Sequence, residues 1–122
     1  MSSEPHEYHN RTIDGQRHSW RVDRLRALAD TLAITEVPLA EIFEYDTVYW
    51  FDGDHPPTVR SVVEHTQRIA AADLDDPILL SHDGWVIDGM HRIARAVLDG
   101  HVTVRARRLP QYPPPDRVSP AA

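Results

Sequence analysis

The chain has 122 residues, 41% of them hydrophobic, with a formal net charge of −6 and no cysteine. This length suffices for one core but not for two domains, and the missing thiols exclude disulfides, thiolate nucleophiles and cysteine-based zinc sites. The acidic balance argues against a general attraction to DNA or RNA, so we do not expect a nucleic-acid partner.

Membrane association is not expected either. The longest apolar run is far short of the ~20 residues that a bilayer-spanning helix needs. The first four residues, MSSE, lack the basic start and apolar stretch of a signal peptide. We therefore predict a cytoplasmic protein.

Two polar ends flank the domain that we predict at residues 21–109. Residues 1–20 carry three of the eight histidines without a sustained hydrophobic period, and residues 110–122 are rich in proline. We expect both ends to project from the domain or to wrap over it.

The first predicted elements of the domain are a short helix in RVDRLRALAD, with Asp23 as its N-cap, and a strand in AITEVPLAEI followed by a turn or short helix that starts at Pro38. FEYDTVYWFDGDHPP, which is aromatic and acidic, predicts a loop with some strand character. Residues 58–72 predict a helix, in which Ser61 and Glu64 resemble a capping box. The apolar residues at helical spacing are Val59, Val62, Val63, Ile69 and Ala70.

The second half of the domain begins with DDPILLSHDGWVID, which predicts two short strands joined by the Asp-Gly turn at residues 82–84. A helix is predicted from Gly89 to Asp99 because apolar residues recur on one face, and Gly100 marks its end. In HVTVRARRL, apolar and polar residues alternate, which predicts a strand. These elements predict a small single-domain α/β (α+β) fold, with a short mixed sheet flanked by helices.

The turn into that helix concentrates chemistry-bearing residues. Met90 faces inward in the predicted helix, so we expect His91 and Arg92 to point away from the core. The free amides of the first turn, together with an imidazole and a guanidinium, describe an oxyanion or phosphate site. Asp88 could bind Mg²⁺, accept a hydrogen bond from a substrate, or cap the helix. The alternative is a structural Asp-Gly cap beside a solvated His-Arg pair.

These segments resemble the ParB/sulfiredoxin superfamily. PILLSHDGWVIDGMHRIARAVLDGHVTVRAR is similar to its C-terminal half, and VPLAEI followed by TVRSVVEHTQRI is similar to its N-terminal half. The resemblance covers about residues 34–108. Met90 stands where sulfiredoxins carry their reactive cysteine, so sulfinic acid repair is excluded. The chain ends soon after the last strand, so we do not expect a ParB-type DNA clamp.

Within that superfamily, WVIDGMHR is closest in wording to the free serine kinases, which use ATP or ADP. Their turn reads Asp-Gly-His-His-Arg after a strand that ends Ile-Val-Asp. The resemblance implies that Asp88 helps to place Mg²⁺ or the acceptor hydroxyl. It also implies that Gly89 and Met90 border the phosphates, and that His91 and Arg92 hold the transferring phosphoryl group.

The catalytic base of those kinases is a glutamate in the loop before the first long helix. The corresponding loop of this chain offers four acids, which are Glu44, Asp46, Asp52 and Asp54. Asp52 and Asp54 are nearest by position, and we expect Asp54 to be the base. Trp50 and Phe51, beside them, could stack on an adenine or fasten the loop to the core.

The leading hypothesis is a phosphotransferase or phosphohydrolase that uses ATP or ADP with Mg²⁺ and acts on a small hydroxylated metabolite such as an amino acid. The alternative is a non-catalytic nucleotide- or partner-binding module, and a homodimer stays open. No structural zinc site is expected, because neither His6 with His9 nor His82 with Asp83 has helical ligand spacing and a third ligand.

Overall fold

The computed structural model describes residues 7–121, which contain seven strands and three α-helices. The elements are β1 (Tyr8–Ile13), β2 (Gln16–Arg21), α1 (Val22–Ala29), β3 (Thr35–Pro38), α2 (Val59–Ala70), β4 (Ile78–Leu80), β5 (Val86–Asp88), α3 (Met90–Leu98), β6 (Thr103–Arg108) and β7 (Arg117–Pro120). Two short 3₁₀ turns, Leu39–Glu41 and Phe43–Asp46, precede the aromatic loop. The predicted α+β class is confirmed.

A four-stranded sheet in the order β3-β6-β4-β5 forms the centre of the domain. β4 runs parallel to β6, while the other pairs are antiparallel, so the sheet is mixed as predicted. β4 is buried on both faces, because Ile78 and Leu80 point to one side and Leu79 to the other. α3 covers the first face through Ile93, and α1 covers the second through Leu25.

The two ends of the described chain form a second sheet, of three strands in the order β1-β2-β7. The sequence predicted no strand in either segment, and the expected boundary at residue 21 falls on the last residue of β2. Trp20 in β2 is 2% exposed, stacks on Tyr112 with ring centroids 4.4 Å apart, and donates its indole N–H to the Pro113 carbonyl over 2.7 Å. The ends therefore join against the second face of the central sheet.

The helix starts differ in detail from those predicted. α1 begins after Arg21, so Asp23 lies in the first turn and the expected Asp23 N-cap is wrong. Thr58 caps α2 by accepting a 3.1 Å hydrogen bond from the amide of Ser61. The expected Ser61–Glu64 capping box is wrong, because a cap needs extended backbone and Ser61 is already helical.

α2 buries none of its residues completely, although its apolar spacing predicted a buried face. Val59 is 83% exposed, and Val62 and Val63 are also exposed. The side that packs on α3 carries the partly buried residues Ser61, His65 and Ile69. α2 is the longest helix at 12 residues, and no helix between residues 7 and 121 has the length and apolar character to cross a membrane.

Candidate functional site

Gly89 joins β5 to α3 in a conformation that favours glycine, with φ of 114°. A Cβ atom at this position would lie 2.6 Å from Cγ2 of Ile78. The glycine is therefore required by packing against β4, independently of any ligand. It leads directly into the first turn of α3, whose amides lack intrahelical partners.

Arg92 is buried, with 9% of its surface exposed, so the expectation that it points away from the packed region is wrong. Its Nη1 donates to the carbonyl oxygens of Asp76 and Pro77 over 2.9 and 2.7 Å, and its Nη2 donates to Asp88 over 3.1 Å. Helical periodicity places the Cα of residue 92, but the long side chain folds back toward residue i−4. Arg92 therefore ties the start of α3 to the segment before β4.

Arg92 belongs to a closed ring of alternating charges, which we call the charge ring. Arg26 and Arg92 each contact both Asp76 and Asp88, with four N–O distances of 3.1–3.2 Å. Both arginines contact Oδ2 of Asp88, so this carboxylate is already neutralised. The arrangement gives no support to Asp88 as a Mg²⁺ ligand or to Arg92 as a phosphate ligand. No group of three or more metal-binding side chains occurs within residues 7–121.

His91 lies on the other side of the turn and pairs with a histidine of α2. Its Nε2 is 2.7 Å from Nδ1 of His65, and we call these two residues the imidazole pair. Trp50 stacks on both rings with centroid distances of 4.6 Å. Burial, then the charges of His65 and Arg68, lower the pKa of His91 to about 4. The ring is therefore neutral at pH 7 and acts as a hydrogen-bonding group, not as a cation.

The aromatic loop is fastened to the helices by these rings. Besides the Trp50 stack, Phe51 meets the edge of His65 with centroids 5.4 Å apart. Of the two roles left open for Trp50 and Phe51, these contacts favour fastening the loop. His65 was missing from the candidates, because its pairing with His91 depends on how α2 packs against α3.

Asp52 and Asp54, the expected catalytic acids, lie on the exposed part of the loop. Oδ1 of Asp52 accepts from the amides of Asp54 and His55 over 2.9 and 2.7 Å, which stabilises a local turn. The His55 side chain also hydrogen-bonds to Asp52, and this bond, followed by the backbone bonds, lowers the pKa of Asp52. In the described chain, neither acid forms a hydrogen bond or ion pair with His91 or with Arg92.

Glu44, another of the four loop acids, is the buried one, with 9% of its surface exposed. Oε1 accepts a 2.6 Å hydrogen bond from the amide of Val86, and burial raises the pKa of the carboxyl. Within residues 7–121, no hydrogen bond holds Oε2, and every fully buried polar side-chain atom of this part of the chain has a partner. These residues therefore do not fully enclose Oε2, and Glu44 borders open space.

Glu44 lines two cavities, of about 350 and about 420 Å³, which share the wall formed by Thr47, Val48 and Tyr49. The smaller cavity is bordered by Glu7 of the terminal segment. The larger one is mostly apolar and is bordered by Trp50, Phe51, Met90 and Ala94. This is a concave, aromatic-rich surface with one accessible buried acid, which suits a small ligand.

Tyr49, in the shared wall, feels the charges of three carboxylates. Its hydroxyl donates to the Val86 carbonyl over 3.1 Å. Burial, followed by the negative charges of Glu44, Glu7 and Asp88, raises the pKa of this phenol. Tyr49 therefore stays protonated and keeps the wall polar without adding charge.

Met90 and His9 are both buried inside the domain. The Met90 side chain packs in the core with Ile93, although its edge also lines the larger cavity. His9 is buried against Tyr112, with its Nε2 2.8 Å from the hydroxyl, and burial lowers its pKa to about 4. His6 lies outside the described residues.

Comparisons with protein-family models, with curated proteins and with solved structures found no match for this chain. The likeness to the ParB/sulfiredoxin superfamily therefore rests on the sequence segments quoted above. The candidate site consists of the Glu44 cavities, the first turn of α3 and the imidazole pair.

Proposed function

We propose that this protein is a cytoplasmic enzyme that binds ATP or ADP and transfers or hydrolyses the terminal phosphoryl group. The acceptor would be water or a small hydroxylated metabolite such as an amino acid. One observation carries the proposal: Glu44 is a buried carboxyl in the wall of two cavities, with one oxygen fixed by the Val86 amide and the other without a hydrogen bond from residues 7–121. The Asp-Gly-Met-His-Arg turn, by its resemblance to the free serine kinases, supplies the reaction class.

Phosphoryl transfer requires positioning, charge neutralisation and a base for the attacking oxygen. Glu44 replaces Asp54 as the proposed base, because a raised pKa makes its carboxylate more basic than an exposed acid. The Val86 amide holds Oε1, so Oε2 is presented to the cavity in one orientation. Oε2 takes the proton of the acceptor's hydroxyl group while the acceptor's oxygen bonds to phosphorus. The bond between phosphorus and the nucleotide oxygen breaks, and that oxygen leaves with the electron pair.

The other end of the reaction is assigned to the first turn of α3. Its amides, which have no intrahelical partners, donate to the phosphoryl oxygens. The His65 contact occupies Nε2 of His91, which leaves its Nδ1 edge for the ligand. Arg92 becomes a positioning residue, because the charge ring and Gly89 hold the turn in place without offering a guanidinium to the substrate.

Magnesium would enter with the nucleotide, held chiefly by the phosphates and by water, as is usual for this ion. Its role would be to neutralise phosphate charge. Asp88 does not fit as its protein ligand, because Oδ2 is already paired with Arg26 and Arg92. No step of the proposed reaction is therefore assigned to a protein-bound metal.

The second candidate is a non-catalytic nucleotide- or partner-binding module, and the charge ring favours it. The resemblance makes Asp88 and Arg92 functional residues. In the structure, however, they pair with each other, and the charge ring also includes Arg26 and Asp76. In that case the first turn of α3 would bind phosphate, and Glu44 would only hydrogen-bond β5.

The two candidates differ in one experiment. The protein is incubated with ATP or ADP, Mg²⁺ and a pool of amino acids and sugars, and mass spectrometry searches for the gain of one phosphoryl group, while calorimetry measures nucleotide binding. We expect product or hydrolysis with the wild type and with Asp54→Asn, and a loss with Glu44→Gln. Binding without turnover would select the binding module. The absence of both would contradict the enzyme and the nucleotide-binding form of the module.

A further inference from the structure

The imidazole pair joins α2 to α3, and the proposed phosphoryl transfer uses only His91 of its two residues. His65 of α2 and His91 of α3 bring Nδ1 and Nε2 to 2.7 Å, and their rings are nearly parallel at 18°. Both side chains are only partly buried, so solvent reaches them. A hydrogen bond between α2 and α3, from Nη1 of Arg95 to the Ala70 carbonyl, holds the helices beside the pair.

The hydrogen bond between the two imidazoles places one proton between two ring nitrogen atoms. A metal ion can replace that proton, because imidazole binds metals in its neutral form. Zinc–nitrogen bonds of about 2.0–2.1 Å at a tetrahedral angle place two ligand nitrogens about 3.3 Å apart. The present separation of 2.7 Å is close to that value, so small side-chain rotations would suffice.

We infer that His65 and His91 form a binding site for a divalent transition-metal ion of the zinc, nickel and copper class, with water completing the coordination. Imidazole selects these ions, whereas Mg²⁺ prefers oxygen ligands. The ion would bridge α2 and α3 beneath Trp50. The inference does not depend on the phosphotransfer proposal, because neither nucleotide nor turnover enters it.

The charged neighbours of the pair disfavour a cation on balance. Arg68 acts against a cation at both rings and outweighs Glu64 at His65 and Asp88 at His91, where Arg92 adds to the opposition. The affinity must therefore come from the two nitrogen donors. With two protein ligands, we expect a micromolar site rather than a structural zinc centre.

The test uses the full chain with Zn²⁺ in calorimetry and with Cu²⁺ in fluorescence quenching, since Trp50 stacks on both ligands. We expect one ion per chain, binding that excess Mg²⁺ does not displace, and quenching that is largely lost in Trp50→Phe while Zn²⁺ binding persists. His65→Gln and His91→Gln should each weaken Zn²⁺ binding at least about tenfold, because even changes outside the ligand sphere often cost that much.

His101→Gln is the matched control, because His101 is exposed in the turn after α3. It should bind Zn²⁺ as the wild type does. Unchanged binding in His65→Gln, an equal loss in His101→Gln, or no stoichiometric binding to the wild type would overturn the site. If His91→Gln fails to fold, His65→Gln decides the question alone, because the partly exposed His65 lies on the exposed helix.

Discussion

Arg92 and Glu44 are buried to the same extent, each 9% exposed, and yet they differ in how their polar atoms are satisfied. The Arg92 guanidinium donates to two backbone carbonyls and to Asp88, all within the protein. Glu44 fixes one oxygen on Val86, while the other has no hydrogen-bond partner in residues 7–121 and the side chain lines a cavity. Burial alone therefore does not identify a functional charge. An accessible acceptor on an otherwise fixed group is the more informative sign.

The largest effect on stability should come from Arg92→Ala. Removing one member of a buried charge network typically costs about 3–5 kcal/mol, and we expect about 2–3 kcal/mol because Arg26 still contacts Asp88 and Asp76. Denaturant unfolding measures this change. A loss of nucleotide affinity with unchanged stability would instead make Arg92 a ligand-contacting residue.

Gly89→Ala should also destabilise the protein, because the start of α3 has no room for a side chain at this position. A non-glycine residue at this φ costs about 1–2 kcal/mol, and the added Cβ must also displace Ile78. Thermal unfolding measures the total. A variant as stable as the wild type would show that the turn is not held as tightly as the charge ring implies.

Glu44→Gln, in contrast, should not destabilise the protein at neutral pH. Burial raises the Glu44 pKa in the folded state, so the free energy of unfolding falls as the pH rises through that pKa. The amide still accepts from Val86 and carries no charge to desolvate. At pH 7 the variant should be at least as stable as the wild type, and the difference should shrink below about pH 4, where Glu44 is protonated in both states. A marked loss of stability at neutral pH would make the Glu44 charge structural.

The smallest effect is expected for Asp54→Asn, since Asp54 is exposed on the loop. Its free energy of unfolding should stay within about 0.5 kcal/mol of the wild type, as for most surface substitutions. Chemical denaturation run beside the Glu44 variant provides the comparison. A larger change would indicate that the loop depends on Asp54.

The elements with local signals could be predicted. The helix after Gly89 and the turn at residues 82–84 were both confirmed, because hydrophobic periodicity and Asp-Gly chemistry act within a few residues. β1 and β2 form a hairpin around Asp14 and Gly15, so the same Asp-Gly signal was present there and our prediction missed it. The pairing of β2 with β7, at the far end of the chain, has no such local signal. Ile78, Leu79 and Leu80 gave an indirect clue to it, because they are apolar on both faces and require cover on both sides.

The site was predicted in part. Spacing placed Asp88, His91 and Arg92 at one turn, but it could not show where the long Arg92 side chain ends. Glu44 was among the candidate acids, and its apolar neighbours Ile42 and Phe43 were a signal of burial. Position along the chain favoured Asp52 and Asp54 instead, because a sequence does not show which part of a loop faces the core.

The most direct test compares Glu44→Gln with Asp54→Asn in nucleotide hydrolysis or phosphoryl transfer, with both variants shown to be folded. We predict a loss of at least about 100-fold for Glu44→Gln, the usual effect of removing a general base, and an unchanged rate for Asp54→Asn. Full activity in Glu44→Gln together with a loss in Asp54→Asn would contradict this prediction.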